Sequence, residues 1–382
     1  NGSIWMGGGN MNVYGGNVAS WWSYAGDASV TMSGGTLDFK DVGIYVYNSG
    51  TYTFTENITA GIIRTSASFN AARSEFTPSG GVVELYGPSD APVTQSNGAT
   101  FYNFLVNKGT KEGNPGSSSP VTENRNGEIL FAGGGGKANT VTPTSDITIT
   151  NNLNVVEGIL SLATYIFDVA KDANFEADLV MTSGAFNVGT ASFDNLSFLA
   201  GSAGSVTGGA INLASWFYAA SGSAFIASPA NTMYFAGSNV TGIDIEETGI
   251  VLGNVDINKT STNHLIYTTG QLVELDGNLT LHGSSVLDMQ ANNSMRVHGV
   301  VTDASGTTIY VYNGPGEGGT YSAKGETGGG SGAKGCMLEI DTDFTMNGFM
   351  DLNGDGNVLV HGNFGMEPSA ELTIAGAGAS FI

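Results

Sequence analysis

The chain contains little charge, little proline and a single cysteine. Of its 382 residues, 12% are charged, 9 are proline and 1, Cys336, is cysteine. A single cysteine cannot form a disulfide within the chain, so a small secreted fold held together by disulfides is excluded. No apolar run reaches the roughly 18 residues that a membrane-spanning helix needs, and we expect no membrane insertion.

Basic residues are the scarcer charge. The chain has 12 Lys and Arg against 34 Asp and Glu, which gives a formal net charge of −22. Nucleic acid and anionic membranes attract basic surfaces, so neither is an expected partner. Hydrophobic residues make up 41% of the chain, which is enough for a packed core. The chain begins at Asn1 without a signal peptide, which is typical of a mature form or a fragment.

Glycine is abundant, and short alternating runs separate the glycines. The chain has 58 Gly. Residues 51–55, 147–150 and 309–312 alternate with period two, and many such runs end in pairs such as Asn-Gly, His-Gly or Gly-Gly. Alternation bounded by turn pairs predicts β-strands, and the glycines allow tight corners that need positive φ.

One passage of the sequence occurs twice. Residues 76–87, followed by Asn107-Lys108, return as residues 225–237, followed by Asn258-Lys259. Self-similarity of this kind indicates a repetitive architecture. With corners at such short intervals, we predict an all-β fold, a mostly parallel β-helix or β-solenoid with short coils and Gly-rich corners.

The repeats and the composition suggest five segments. Residues 1–110 form a first repeat unit of solenoid coils and 141–312 a second. Residues 111–140 are a loop excursion rich in Gly, Ser and Pro, and 313–335 are a Gly-rich loop. Residues 336–382 continue the coils or form the C-terminal edge of a fragment. We expect both loops to protrude from a continuing solenoid core.

The repeated passage resembles modules of very large cell-surface proteins of Bacteroidota. The resemblance lies in residues 76–87, 100–108, 149–162, 193–198 and 252–259, and covers roughly 74–300. Such proteins are exported by the type IX secretion system and act in adhesion, gliding or surface filaments. The resemblance therefore implies an extracellular or cell-surface location, with surface or secretion-machinery proteins and carbohydrate surfaces as partners. The usual C-terminal sorting domain is not evident.

Three classes of function remain open at this point, of which the third is a phage or viral fibre, which would form obligate trimers. The first is a structural shaft or adhesive module of a secreted bacterial surface protein, and hence not an enzyme. The alternative is an extracellular β-helix that binds or cleaves polysaccharide, as a polysaccharide lyase or glycoside hydrolase does. An acidic outward cluster beside an exposed tryptophan would favour the alternative.

Three tryptophans are candidates for sugar stacking. Trp21, Trp22 and Trp216 share an Ala-Ser-Trp-aromatic context near Gly-Gly turns. A flat aromatic face can bind the apolar face of a pyranose ring. The structural alternative is that these rings fill the interior of the solenoid or cap one end.

The best acidic cluster is Asp341, Asp343, Asp351 and Asp355. Glycoside hydrolysis needs two carboxylates about 5–10 Å apart. Of the basic residues, only His361 accompanies these carboxylates at a recognisable spacing. We favour ordinary outward polar positions as the explanation of this cluster, so we expect no catalytic residue.

Calcium is the one cofactor that the sequence leaves open. Asp351, Asn353 and Asp355 match the start of a calcium loop, with oxygen ligands at alternate positions. The twelfth position is Gly362 rather than the expected Glu, and we expect strands on both sides rather than helices, so we favour a Gly-rich β-turn over a calcium site. Three histidines precede glycine, but their spacing gives no compact metal-ligand set.

Overall fold

The described part of the chain is built from β-strands alone. The computed structural model describes residues 2–14, 18–21, 27–46, 52–109, 122–123, 129–130, 139–191, 193–259, 264–267, 271–289, 293–312, 337–353, 356–375 and 379–382. These ranges contain no helix, and so none that could cross a membrane. The all-β class predicted from the alternating pattern is confirmed.

The chain divides into two compact units, each a stack of parallel strands. The N-terminal unit is Asn1–Gly189 with Leu196–Val206, and the C-terminal unit is Thr190–Asn195 with Thr207–Ile382. The predicted loops 111–140 and 313–335 lie mostly outside the described ranges. The five sequence boundaries therefore stay predictions.

The N-terminal unit contains three parallel sheets, and its strands are numbered in chain order. In spatial order, the first sheet contains β1 (Gly2–Asn12), β3 (Ala28–Asp38), β5 (Phe54–Thr65), β7 (Val82–Tyr86), β9 (Asn103–Asn107), β14 (Leu153–Glu157), β17 (Ala173–Phe175) and β20 (Asn195–Phe198). The second contains β2 (Val18–Trp21), β4 (Gly43–Val46), β6 (Phe69–Ala71), β8 (Ala91–Gln95), β12 (Thr140–Pro143), β15 (Ile159–Leu162), β18 (Asp178–Met181) and β21 (Ala203–Val206). The third contains β13 (Ile147–Ile149), β16 (Ile166–Val169) and β19 (Ala185–Val188). A separate antiparallel pair joins β10 (Thr122–Glu123) and β11 (Ile129–Leu130).

The C-terminal unit also has three parallel sheets. Its first sheet contains β23 (Trp216–Ala219), β26 (Thr241–Ile245), β29 (His264–Tyr267), β32 (Val286–Met289), β35 (Thr308–Tyr312), β38 (Phe349–Asn353) and β41 (Glu371–Ala375). Its second contains β24 (Ala224–Ala227), β27 (Val251–Leu252), β30 (Leu272–Leu275), β33 (Ser294–Val297), β36 (Met337–Ile340), β39 (Asn357–Val360) and β42 (Ser380–Phe381). Its third contains β22 (Gly209–Leu213), β25 (Asn231–Gly237), β28 (Asn254–Lys259), β31 (Leu279–Leu281), β34 (Val301–Asp303), β37 (Phe344–Met346) and β40 (Phe364–Met366).

From β12 onwards, consecutive strands visit the three sheets of a unit in turn, whereas β1 to β9 alternate between the first and second sheets. Each strand pairs with its counterpart one coil later. In the C-terminal unit, Asp256 of β28 pairs with Thr280 of β31, which pairs with Thr302 of β34. All of these pairings are parallel. This coiling of short strands is a parallel β-solenoid, which confirms the predicted fold class.

The core is a column of apolar side chains from alternate strand positions. In β16, Phe167 and Val169 are buried while Ile166 is exposed and Asp168 is half-buried. Successive coils place phenylalanines against each other: the rings of Phe175 and Phe198 stack with centroids 5.0 Å apart and planes 10° apart. Full burial of such a side chain contributes roughly 1.5–3 kcal/mol, so the core is the main source of stability.

Glycine is required where the first sheet of the N-terminal unit turns a corner. Gly35, Gly61 and Gly81 follow one another on successive coils with φ of 82°, 99° and 76°. A Cβ on Gly61 would lie 2.9 Å from the carbonyl oxygen of Gly35, and one on Gly81 would lie 2.7 Å from that of Gly61. Positive φ and close backbone approach both exclude larger residues here.

Aspartate and asparagine side chains at the corners hydrogen-bond to the next coil. Each accepts a hydrogen bond from a main-chain N–H about one coil further along the chain. Because these bonds give partners to main-chain N–H groups at the corners, these side chains have a structural role. Examples are Asp27 with Thr53 N (2.9 Å), Asp90 with Thr140 N (2.7 Å), Asp146 with Ile166 N (2.8 Å), Asp178 with Ala203 N (3.0 Å), Asn254 with Asn278 N (2.9 Å) and Asn278 with Val300 N (2.8 Å).

Both copies of the sequence repeat end in a buried lysine. Lys108 is 0% exposed and Lys259 is 2% exposed. The Nζ of Lys108 donates hydrogen bonds to the carbonyl oxygens of Ser66 (2.8 Å) and Tyr86 (2.7 Å), and that of Lys259 donates to Ala236 O (3.1 Å). Burial lowers the pKa of each lysine to about 8. The repeated Asn-Lys pair therefore marks a corner where an amine bonds the main chain of an earlier coil.

These lysines should make stability rise with pH. Their folded pKa of about 8 lies below the unfolded value of about 10.4, so the folded state binds fewer protons between these values. The free energy of unfolding should increase by about 1 kcal/mol per lysine between pH 8 and pH 9. Urea unfolding at both pH values should show that K108M/K259M loses this increase, while the exposed-site control K171M keeps it. An unchanged pH slope in the double variant would contradict the assignment.

Candidate functional site

Charged side chains line the outer face of the second sheet in the C-terminal unit. Glu274 of β30 pairs in register with Arg296 of β33, which pairs with Glu339 of β36. These positions face outward, because the neighbouring residues Val297 and Ile340 are fully buried. Opposite charges therefore alternate from coil to coil. We call this row, together with His298, Asp341 and His361 just beyond the strand ends, the charged ladder.

A second row of polar residues lies just beyond the strand ends. His298, Asp341 and His361 directly follow β33, β36 and β39, so strand pairing brings them side by side. His298 Nδ1 lies 2.7 Å from Asp341 Oδ2, and His361 Nε2 lies 2.8 Å from Glu339 Oε1. Each of these histidines thus bonds a carboxylate of an adjacent coil.

Asp341 is the centre of the charged ladder. Arg296 Nε lies 3.2 Å from both Asp341 oxygens, and Arg296 Nη2 lies 3.1 Å from Oδ1. Desolvation raises the pKa of the Asp341 carboxyl, but the hydrogen bonds from Arg296 and His298 outweigh it, and the pKa is lowered overall. Arg296 and His298, which lie on the neighbouring coil, therefore keep Asp341 in its carboxylate form.

Three residues of the charged ladder could also reach one metal ion. Glu339, Asp341 and His361 each offer a ligand atom, and these atoms lie within 4.8 Å of one another. Arg296 lies 3.9 Å from Glu339 Oε1 and already bonds Asp341. A guanidinium so close repels a cation. We therefore interpret the ladder as ion pairs that stabilise the stacking of coils.

The other sequence-predicted carboxylates have different partners. Asp343 Oδ1 accepts hydrogen bonds from Asn363 N (2.6 Å) and Asn363 Nδ2 (3.0 Å), as the corner aspartates do. Asp351 lies on the first sheet, in register with Tyr310 and Thr373. Among the residues that the structure describes, Asp341, Asp343 and Asp351 of the predicted acidic cluster therefore have different neighbours and do not form one site.

The calcium hypothesis falls partly outside the described residues. Asp351 is half-buried on β38. The side chain of Asn353 and the whole of Asp355 lie outside the described part. A calcium site at these three residues stays a prediction.

The tryptophan hypothesis can be followed at one of its three residues. Trp21 ends β2, and its side chain and all of Trp22 lie outside the described part. Trp216 begins β23 and is half-buried, next to the fully buried Phe217. Alternation along the strand therefore places the Trp216 ring on the outside of the solenoid rather than in its core.

Sequence spacing did not reveal Arg296 and His298 as partners of Asp341. They lie 45 and 43 residues before it along the chain. The available signal was the strand ending itself, because Val297-His298-Gly299 and Val360-His361-Gly362 repeat one pattern. Aligning those endings as neighbouring coils would have placed the histidines beside the acidic strand between them.

Comparison of the chain with protein-family models, with curated protein sequences and with solved structures finds no match. The described residues therefore supply the structural basis for a functional assignment. In these residues, side-chain hydrogen bonds and ion pairs join the stacked coils.

Replacing Asp341 by Asn should lower stability near neutral pH. Since its folded pKa is depressed, the carboxylate stabilises the fold above the unfolded pKa of about 3.9 and loses that effect as the pH falls through the folded pKa. We expect D341N to melt about 2–4 °C lower at about pH 7, with a smaller difference at about pH 3. Thermal melts followed by circular dichroism measure both.

The exposed Asp41 offers a matched control for the same change. D41N should melt within about 1 °C of the wild type at both pH values, as surface substitutions usually do. Equal melting of D341N and the wild type at neutral pH would show that the charged ladder does not stabilise the stacking.

Proposed function

We propose that this chain is a structural shaft or adhesive module of a secreted bacterial surface protein, of the kind exported by the type IX secretion system. In this role the solenoid acts as a rigid support, and its outer face meets the partner. The parallel stacking of coils supports the proposal most directly.

The stacking suits a load-bearing role because neighbouring coils are joined in several ways at once. Main-chain hydrogen bonds join each strand to the next coil, as between Glu274 and Arg296 or Asp256 and Thr280. Apolar side chains stack inside. Corner side chains such as Asp343 and ion pairs such as Arg296 with Asp341 add further bonds outside. A repeat of this kind depends on contacts between neighbours and can be extended coil by coil.

The use of the carboxylates also favours a structural role over a catalytic one. Asp343 bonds the main chain of Asn363, and Asp341 is paired with Arg296 and His298. A glycosidase needs one carboxyl group free to donate a proton and a second free to attack or to activate water. The paired carboxylates described here are instead engaged in joining coils.

Removing residues 336–382 should leave the rest of the chain folded. Each coil contacts mainly its neighbours, so loss of the last coils removes few contacts of the earlier ones. We expect the truncated chain to keep its β-type circular dichroism spectrum and a cooperative thermal transition. Complete loss of that transition would contradict a solenoid support.

A deletion inside the stack provides the control. Removing residues 293–299, which include all of β33, takes away one strand from the middle of the second sheet. We expect this short deletion to lower the melting temperature of the C-terminal unit more than the longer terminal truncation does.

The surface location can be tested on the source cells. Gold-labelled antibodies raised against the purified chain should mark extended structures at the cell surface in electron micrographs. Disruption of the type IX secretion pathway should abolish the surface label. Label confined to the cell interior, or to compact particles released from the cell, would overturn the proposed function.

A further inference from the structure

Aromatic and acidic side chains meet on the outer face of the first sheet in the C-terminal unit. Trp216 of β23 pairs in register with Gly242 of β26, and Tyr218 pairs with Asp244. Phe217 and Ile243, which alternate with them, are fully buried. The side chains of Trp216, Tyr218 and Asp244 therefore point away from the core, on two neighbouring coils.

The indole of Trp216 lies flat against the sheet. A Cβ built on Gly242 would lie 2.2 Å from Cζ3, 2.3 Å from Cε3 and 2.6 Å from Cη2 of the ring. Three such similar distances put the six-membered ring face-on above Gly242. The missing side chain of Gly242 makes room for the ring, and the opposite ring face turns outward. Trp216 is half-buried in this position.

Polar groups flank this ring on one side. Tyr218 is half-buried, and its hydroxyl donates a hydrogen bond to Glu246. Asp244 lies on β26 and the exposed Glu246 directly follows that strand, so the extended chain places their side chains on the same outer face about 7 Å apart. Burial, and then the bond to Glu246, raise the pKa of Tyr218. The tyrosine therefore keeps its proton and fixes the position of the Glu246 carboxylate.

An exposed phenylalanine, in the turn before β20, lies next to the start of β23. Phe193 is 70% exposed and has a left-handed backbone, with φ of 80°. Its main-chain N–H donates a hydrogen bond to Ser215 Oγ (2.8 Å), directly before Trp216. Asp194 Oδ2 accepts hydrogen bonds from the N–H groups of Thr190 and Ala191, which fixes the turn. A non-glycine residue in this backbone conformation is strained, and such strain persists where the surroundings hold it.

We propose that Trp216, Tyr218, Asp244 and Glu246, with Phe193 beside them, form a binding surface for neutral polysaccharide. The outward indole face packs on the apolar face of a pyranose ring, and the carboxylates accept hydrogen bonds from its hydroxyl groups. This inference rests on the adhesive part of the proposed function and names the ligand class that the surface takes.

The charges of the site select neutral chains over acidic ones. The two carboxylates at the site and a net charge of −22 on the chain repel uronic-acid and sulfated polymers. Neutral hexose polymers present apolar ring faces and hydroxyl donors without that repulsion. A linear chain also fits an open sheet face, because successive sugars can continue along the surface beyond Trp216.

Binding can be measured by affinity electrophoresis of the full chain in gels that contain hydroxyethylcellulose, laminarin, mannan or, for comparison, polygalacturonate. We expect retardation by at least one of the neutral polymers and none by polygalacturonate. W216A should weaken binding to the retarding polymer at least tenfold. Y218F, which removes the hydroxyl bonded to Glu246, should weaken it several-fold.

The chain supplies a matched control in Trp5, which is 74% exposed in the N-terminal unit. W5A should bind within twofold of the wild type. Each variant is first checked by its thermal melt, and W216F provides a second test in case W216A melts early, because it keeps an aromatic ring with a smaller stacking face. W216F should bind more weakly than the wild type at an unchanged melting temperature.

Two results would overturn the binding site. One is a wild-type chain that no neutral polymer retards, and the other is equal binding by the wild type, W216A and W216F. Neither result would contradict the structural role, which is tested by the truncation and by the surface label. Conversely, if the chain binds neutral polymer but the antibodies label no surface structure, the binding site is supported and the proposed role as a surface shaft is contradicted.

Discussion

Parallel hydrogen bonding between successive coils is the interaction on which the other features depend. A strand such as β31 bonds β28 before it and β34 after it, so every residue in it has fixed neighbours on both sides. Fixed register means that like positions stack: apolar on apolar inside and polar on polar outside. Because side chains alternate between the two faces, a slip by one residue would exchange core and surface. The stacked core therefore reinforces the register that created it.

The same register explains how so acidic a chain can stack its coils closely. Like charges on adjacent coils would repel each other. In the charged ladder, Arg296 lies between Glu274 and Glu339, so unlike charges become neighbours. At the corners, carboxylates such as Asp146 and Asp178 are bonded to main-chain N–H groups of the following coil. Many aspartates are thus part of the scaffold, and acidity alone is a poor guide to catalysis in this chain.

Function on such a scaffold depends on what the outer faces present. The outward indole of Trp216 above Gly242 and the exposed side chain of Phe193 near the start of β23 belong to one such face. Both side chains leave apolar area near water at a cost in free energy. Exposure alone identifies no ligand, since Trp5 is 74% exposed as well. The proposed binding site depends instead on the aromatic rings lying beside the carboxylates of the neighbouring coil.

The sequence by itself determined the fold class and the kind of surface. Period-two runs such as 309–312, Gly-rich corners and the repeat ending in Lys108 and Lys259 were sufficient to predict a β-solenoid, because alternation and turn chemistry are local properties of a chain. Which outward residues become neighbours was decided only by the tertiary structure. Asp341 meets Arg296 across 45 residues, and Trp216 meets Gly242, because coil length and register set those pairs. Coils vary in length and loops interrupt them, so spacing along the chain cannot supply the register that stacking imposes.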